Sequence, residues 1–393
     1  MPRLRHLGTS TGLLAGAAAL ALALTGCVPN KATAEAEAIQ VTLTDSSCTV
    51  KPATAPAGPI TFQVTNSGSD VNEFEVLAQD KLRIAGEKEN IGPGTTVNYV
   101  VQLAEGGYFT ACRKGMVGIP TSLAKFSVTK GSGDTETASE SKQVAQAVTN
   151  YVSYVKDQTG QLLTATKTFA AAYEAGEDAT ARAQYPAART FYERIEPTAE
   201  QFGDIDPALD LREVDLEKGQ TWIGWHRIEK DLWAPAGFTP SDSAARKQLA
   251  DQLVADTQRL YDLVYATDFT LTLDQISNGA SGLMEEVSRT KITGEEETFS
   301  HTDLWDFKAN VEGAEVAYGN VRAILLQKGS TGTSTAKKLD SEFATIDKLL
   351  AQYASGDGYV SYTELTTAQV KELSHSVNAL SEPLSQLTSI LVK

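Results

Sequence analysis

Two hydrophobic periods divide the chain. From residue 39 to 130, apolar and polar residues alternate in short runs, as in "IQVTLTDSSCTV", "GPITFQVTNSG", "VNEFEVLA", "TVNYVVQLA", "GGYFTACR" and "LAKFSVTK". Gly, Pro, Asn and Ser punctuate the runs, and β-branched and aromatic residues fill them. About seven short strands in so little chain predict a small β-sandwich. From 141 onward apolar positions recur at three and four, among Ala, Leu, Glu, Gln and Lys. This pattern predicts helices over 141–175, 180–202, 208–231, 241–268, 273–290, 301–328, 333–354 and 363–392. Such a succession reads as a helical bundle without a repeat of fixed period. The polar, glycine-bearing stretch 131–140 separates the two regimes and reads as a linker.

The first 38 residues follow neither pattern. Arg3, Arg5 and His6 precede the apolar run "GLLAGAAALALALTGC", which is short for a membrane span. It ends in Leu24-Thr25-Gly26-Cys27, which resembles a bacterial lipobox. The expectation is a signal peptide over 1–26, a lipid on Cys27 and a tether over 27–38, leaving an extracytoplasmic protein anchored to the cell membrane. Losing Arg3 and Arg5 with the leader would take the formal charge of -16 two units more negative. So acidic a chain is a poor partner for nucleic acid and a better one for cations. With 41% hydrophobic and 21% charged residues, it has enough apolar material for packed cores.

Three cysteines then sort by compartment. Cys27 is the lipidation candidate, and Cys48 and Cys112 remain as an even pair in an oxidising environment, where a disulfide is favoured over metal ligation. The run from Tyr108 through Cys112 to Met116 resembles the last strand and ligand loop of a cupredoxin. A type 1 copper centre needs two histidines beside its cysteine. The four histidines are His6, His226, His301 and His375, and none lies between 28 and 130, so that centre is excluded. Within "NEFEV", Glu73 and Glu75 share one side of a strand. They suit a hard cation, or they form a solvated strand face.

The sharpest candidate in the helical region is "GWHRIEKDLW", 224–233. On a helical projection Arg227, Lys230 and Asp231 form a wet side, and Trp222, Trp225, Ile228, Leu232 and Trp233 an apolar arc. Glu229 falls inside that arc with His226 at its edge, three residues away. A carboxylate placed there is costly without a partner. His-x-x-Glu recurs as half of carboxylate-rich metal sites in bundles. A satisfied structural histidine is the bland alternative. Further ligands would come from "TGEEETFSHTDLWDF", 293–307, with Glu295, Glu296, Glu297, His301, Asp303 and Asp306. Ser300 and Asp303 also read as a helix capping box. In "FYERIEP" projection places Glu193 and Glu196 on a solvated side, and His375 lies on a plain helix surface. Neither His-Glu-x-x-His nor His-x-x-Glu-His is present, because position 230 is lysine.

These stretches together, with "EKENIGPG" at 87–94 and "KITGEEETFSHTDLWDFKANVEGA" from 291, resemble the EfeO family, extracytoplasmic components of the EfeUOB bacterial iron-uptake system. The resemblance implies a cupredoxin-like β-sandwich over 39–130 and an imelysin-like helical bundle over 141–393. It implies a metal site on His226 and Glu229, completed by Glu193, Glu296 and Asp303. It also implies a second metal site with Glu73, Cys48 and Cys112 at the matching positions. The implied cargo is iron, as Fe2+ or Fe3+, with zinc and copper as the other ions to test. The implied partners are the permease EfeU and the haem peroxidase EfeB, and no enzyme activity is expected. The competing readings are a zinc metallopeptidase built on His-x-x-Glu, and electron transfer through the sandwich, which the missing copper ligands oppose.

Overall fold

A computed structural model describes residues 38–393 except 78, 80–83, 104, 116–120 and 132–137. The expected leader, Cys27, nearly all of the tether, Met116 and part of the expected linker lie outside the described residues. Residues Ala38–Lys393 form one compact unit. Among the described residues no helix is long and apolar enough to cross a membrane.

The alternating region folds as nine strands: β1 Ile39–Leu43, β2 Cys48–Lys51, β3 Thr54–Pro56, β4 Gly58–Asn66, β5 Asn72–Leu77, β6 Ile84–Ile91, β7 Thr96–Leu103, β8 Gly106–Lys114 and β9 Thr121–Thr129. They pair in two sheets, ordered β2-β1-β4-β7 and β3-β9-β8-β5-β6. The core between them is clear in its rings. Phe62 of one sheet lies 5.1 Å from Phe74 and 5.5 Å from Phe126 of the other, centroid to centroid. Two strands are absent from the sequence reading, the three-residue β3 and β6, whose "IAGEKENI" has no apolar alternation. β6 forms because β5 offers it an edge, with Glu75 opposite Glu87.

Every residue of β5 is buried. Phe74 and Val76 face the sandwich core, and Glu73 and Glu75 are 2% and 0% exposed. The expected solvated face is therefore wrong. β6 packs on the helical half, so the outer side of this sheet is covered as well. Cys48 and Cys112 form a disulfide that joins the two sheets, with a Cα–Cα distance of 5.9 Å. The family-implied role of both cysteines as metal ligands is thereby corrected, since a metal-binding cysteine needs a free thiolate.

The helices are α1 Ala138–Glu174, α2 Asp178–Glu193, α3 Ile205–Asp210, α4 Trp225–Trp233, α5 Ser243–Tyr265, α6 Leu273–Arg289, α7 Asp303–Leu325, α8 Gly329–Leu350, α9 Thr367–Leu384 and α10 Leu387–Leu391. α1 begins inside the expected linker. α2 stops at Glu193, and Pro197 sits near the start of a 3-10 turn over Glu196–Gln201. The single helix expected over 208–231 is two helices, because the chain leaves α3 after Asp210 and re-enters at Gly224.

α6 enters through a complete capping box, with Thr272 accepting from Gln275 N and the Gln275 side chain accepting from Thr272 N. Its mid-helix Gly279 lets the backbone of Pro197 approach, and a Cβ there would lie 1.7 Å from the Pro197 carbonyl oxygen. Gly279→Ala is expected to cost about 1–3 kcal/mol, because two backbones must separate. Chemical denaturation would show this as a lower midpoint at unchanged slope.

Candidate metal centre

The centre begins at a glycine. Gly224 holds φ +86°, and a Cβ on it would meet the Leu209 carbonyl oxygen at 2.3 Å. Only glycine fits that turn, which brings the start of α4 against the end of α3. Trp225, Ile228 and Leu232 are then buried. Trp225 lies 4.9 Å from Phe169 and 5.8 Å from Tyr185 by ring centroid. His226 and Glu229 are 2% and 0% exposed. Asp231, expected on the wet side, is buried too. It accepts hydrogen bonds from the Tyr173 hydroxyl and from Ser241 N, and pairs with Arg227.

His226 is held between carboxylates. Its Nδ1 lies 3.4 Å from Glu229 Oε2, and its Nε2 lies 3.4 Å from Asp210 Oδ1 and 3.7 Å from Glu296 Oε1. Nε2 is buried without a hydrogen bond. Ligand atoms of Asp210, His226 and Glu296 all lie within 4.8 Å of one another, as do those of His226, Glu229 and Glu297. Glu229 has a second duty. Its Oε1 accepts from Phe299 N at 2.9 Å and Ser300 N at 2.7 Å, which fixes the loop that carries Glu296 and Glu297.

Two buried cations share the cluster. Arg189 of α2 is fully buried and contacts Glu193 and Asp210, with Glu297 at 2.6 Å, Asp306 at 3.5 Å and Glu296 at 3.8 Å. Lys291 Nζ reaches Glu193 at 3.0 Å, Glu196 at 2.7 Å and Glu296 at 3.5 Å. Burial opposes the charged form of every acid here, but the cations decide the outcome for some. Arg189 and His226 hold Asp210 well below the ordinary carboxylate range, and Lys291 and His226 do the same for Glu296. Burial and the neighbouring Glu229 push Glu297 up to about 8, and burial pushes Asp306 well up. Burial and Arg189 oppose a proton on His226, but Asp210, Glu229 and Glu296 outweigh them and raise its pKa.

The expected residues therefore separate. His226, Glu229 and Glu296 converge. Glu193, expected to be solvated, is fully buried, but its carboxylate is committed to Arg189, Lys291 and Asn310. Asp303 accepts from Glu297 N at 3.1 Å through Oδ1 and so braces the loop. No capping box forms at α7. Its N-cap is Thr302, and Ser300 Oγ instead donates to Glu297 Oε2 at 2.8 Å. His301, half-buried with φ +57°, belongs to none of the ligand groups among the described residues. Asp210, Arg189 and Lys291 carry no signal in the sequence, because each meets His226 or Glu296 only through the tertiary fold.

Comparison with known proteins agrees with this architecture. Residues 147–387 match the imelysin family (peptidase M75), and residues 16–123 match the cupredoxin-like domain family. The chain is 35% identical over 363 residues to the "Iron uptake system component EfeO" of Escherichia coli O157:H7, covering 91% of this chain and 92% of that protein. It is likewise 35% identical over 362 residues to the protein of the same name from Yersinia pestis, with the same coverage. With the sandwich, the helical bundle and the buried His-x-x-Glu helix in place, the chain belongs to the EfeO family of iron-uptake components, in which a cupredoxin-like domain precedes an imelysin domain.

Proposed function

We propose that this chain binds iron outside the cytoplasm and passes it to a membrane permease. The relatives' names support a part in iron uptake. The observation that carries the binding reading is His226 Nε2, buried without a hydrogen bond and facing Asp210 and Glu296. One imidazole and two carboxylates suit iron, with zinc and copper as competitors. In this reading His226, Asp210 and Glu296 ligate. Glu229 turns the ring through Nδ1 and anchors the 299–300 amides. Glu193 and Asp303 support the site as partners of its cations and its loop. The signal peptide 1–26, the lipid on Cys27, the 131–140 junction, and EfeU and EfeB as partners complete the proposal.

Anaerobic titration of iron(II), with iron(III), zinc and copper in parallel, tests it. His226→Ala and Glu296→Gln should each weaken iron binding by about 100-fold, and Glu229→Gln by about tenfold, each with an unchanged circular dichroism spectrum. Binding like the parent's in both His226→Ala and Glu296→Gln would refute the site. The imelysin match supports one competing reading, a zinc peptidase. Tight zinc binding with peptide cleavage and no preference for iron would establish it instead. Against it, Glu229 is tied to two amides and is poorly placed as a general base.

A further inference from the structure

The segment 211–224 joins α3 to α4, and a ligand of the proposed metal centre stands at each end of it. Asp210 is the last residue of α3, and His226 is the second of α4. The two ends of the segment are pinched together, because Trp222 Nε1 donates to Leu211 O at 2.7 Å. Between them the chain bonds to itself. Asp215 N donates to Arg212 O at 3.2 Å, Gln220 N to Glu217 O at 3.0 Å, and Glu217 N to the Gln220 side-chain oxygen at 3.0 Å. Glu213, Val214 and residues 217–221 are exposed, Val214 at 77%. A compact surface loop with joined ends and internal bonds of its own is an Ω-loop, and such loops serve as lids that move about their base.

Arg212 ties this loop to the centre. Its Nε donates to Asp215 Oδ2 at 2.8 Å within the loop, and its Nη1 donates to Glu296 Oε2 at 3.2 Å. The exposed Glu295 lies 3.7 Å from the same Nη1. The side chain of Glu296 is 4% exposed and that of Arg212 18%, so the guanidinium stands between a ligand carboxylate and water. The two oxygens of Glu296 are divided. Oε1 faces His226 Nε2 at 3.7 Å and Lys291 Nζ at 3.5 Å, and Oε2 faces Arg212. Arg212 and a cation beside His226 therefore draw on different atoms of one carboxylate. A cation approaching Oε1 from this side meets the guanidinium first, and like charges repel. A second tie, Lys230 with Glu213, lies at the surface and holds the loop weakly.

We infer that the loop 211–223 is the lid of the metal centre and that Arg212 is its latch, so that a cation enters and leaves when the guanidinium releases Glu296. Arg212 is a positioning residue and makes no bond to the ion. Its planar fork holds Asp215 of the loop and Glu296 of the centre at once, which the single ammonium of a lysine does not. Asp210 and His226 stand at the base of the loop, so lifting the lid draws two ligands apart and couples opening to release. The inference rests on the proposed binding of iron at His226, and it concerns the rate of exchange there rather than the affinity.

Stopped-flow tryptophan fluorescence of the whole chain with iron(II) under argon tests it, with Trp222 and Trp225 as the nearby reporters. Association is read on mixing, and dissociation on chasing with a chelator. Arg212→Lys keeps the charge and loses the fork, and Asp215→Asn cuts the loop end of the latch without touching Glu296. In Arg212→Lys association and dissociation should both quicken by about tenfold, so that affinity moves far less than either rate. Asp215→Asn should quicken both by about threefold. Trypsin supplies a second readout, since Lys218 is exposed on the loop. Cleavage after Lys218 should quicken in both variants as the loop opens more often. Faster dissociation with unchanged association would make Arg212 a support for Glu296 and overturn the lid. Faster exchange without faster cleavage would place the effect in local charge alone and overturn it as well. Unchanged rates in both variants, with iron(II) binding still weakened by His226→Ala, would overturn the lid and leave the metal centre standing. Binding unaltered by His226→Ala, or absent from the parent, would overturn the centre and the lid with it.

Discussion

Arg189→Leu is expected to destabilise the protein by about 3–5 kcal/mol, because it removes one member of a buried charge network and leaves the others unanswered. The arginine is fully buried, and its guanidinium contacts Glu193, Asp210 and Glu297, with Asp306 and Glu296 close by. Leucine fills part of the volume and none of the charge. Arg189→Lys should recover only part of the loss, since a single ammonium cannot replace a planar fork with several carboxylates. The same substitution tests the metal reading. A cation that binds the folded state alone stabilises it by mass action. Added iron(II) should therefore restore more stability to Arg189→Leu than it adds to the parent. A loss below about 1 kcal/mol in the leucine variant would mean that the surrounding acids carry protons and the arginine is dispensable.

Removing the disulfide is the second large effect. Cys48 and Cys112 close a loop with a sequence separation of 64, for which the chain-entropy relation gives a stabilisation of about 4 kcal/mol. The bond joins β2 of one sheet to β8 of the other, so the loss should appear as unfolding of the sandwich. Cys48→Ala/Cys112→Ala is expected to lower the denaturation midpoint and leave iron binding at His226 unchanged. If that variant kept its stability but lost a bound ion, the cysteines would be ligands and the disulfide assignment would fail.

Where the sequence located chemistry, the relation was local. His226 and Glu229 are three apart on one helix, so a 3.6-residue period places them together whatever packs around them. The change from alternation to helical spacing likewise assigned the two halves, since each period follows from backbone geometry. The missing copper centre followed from a count of histidines. Burial was another matter. Glu193 and Glu73 each sit on the side of an element that pattern alone gives to water. They are buried because Arg189 and Lys291 meet the first, and because the helical half covers the sheet of the second. β6 lacks the apolar alternation that would mark it as a strand, since it is an edge held by β5 and by α6. Asp210 reaches His226 only because the chain breaks between Leu211 and Gly224 and folds back. The sequence alone thus determined the two backbone regimes and the His226–Glu229 pair. The tertiary structure decided which charges surround that pair, because a charge is kept out of water only when residues distant in the chain arrive to answer it.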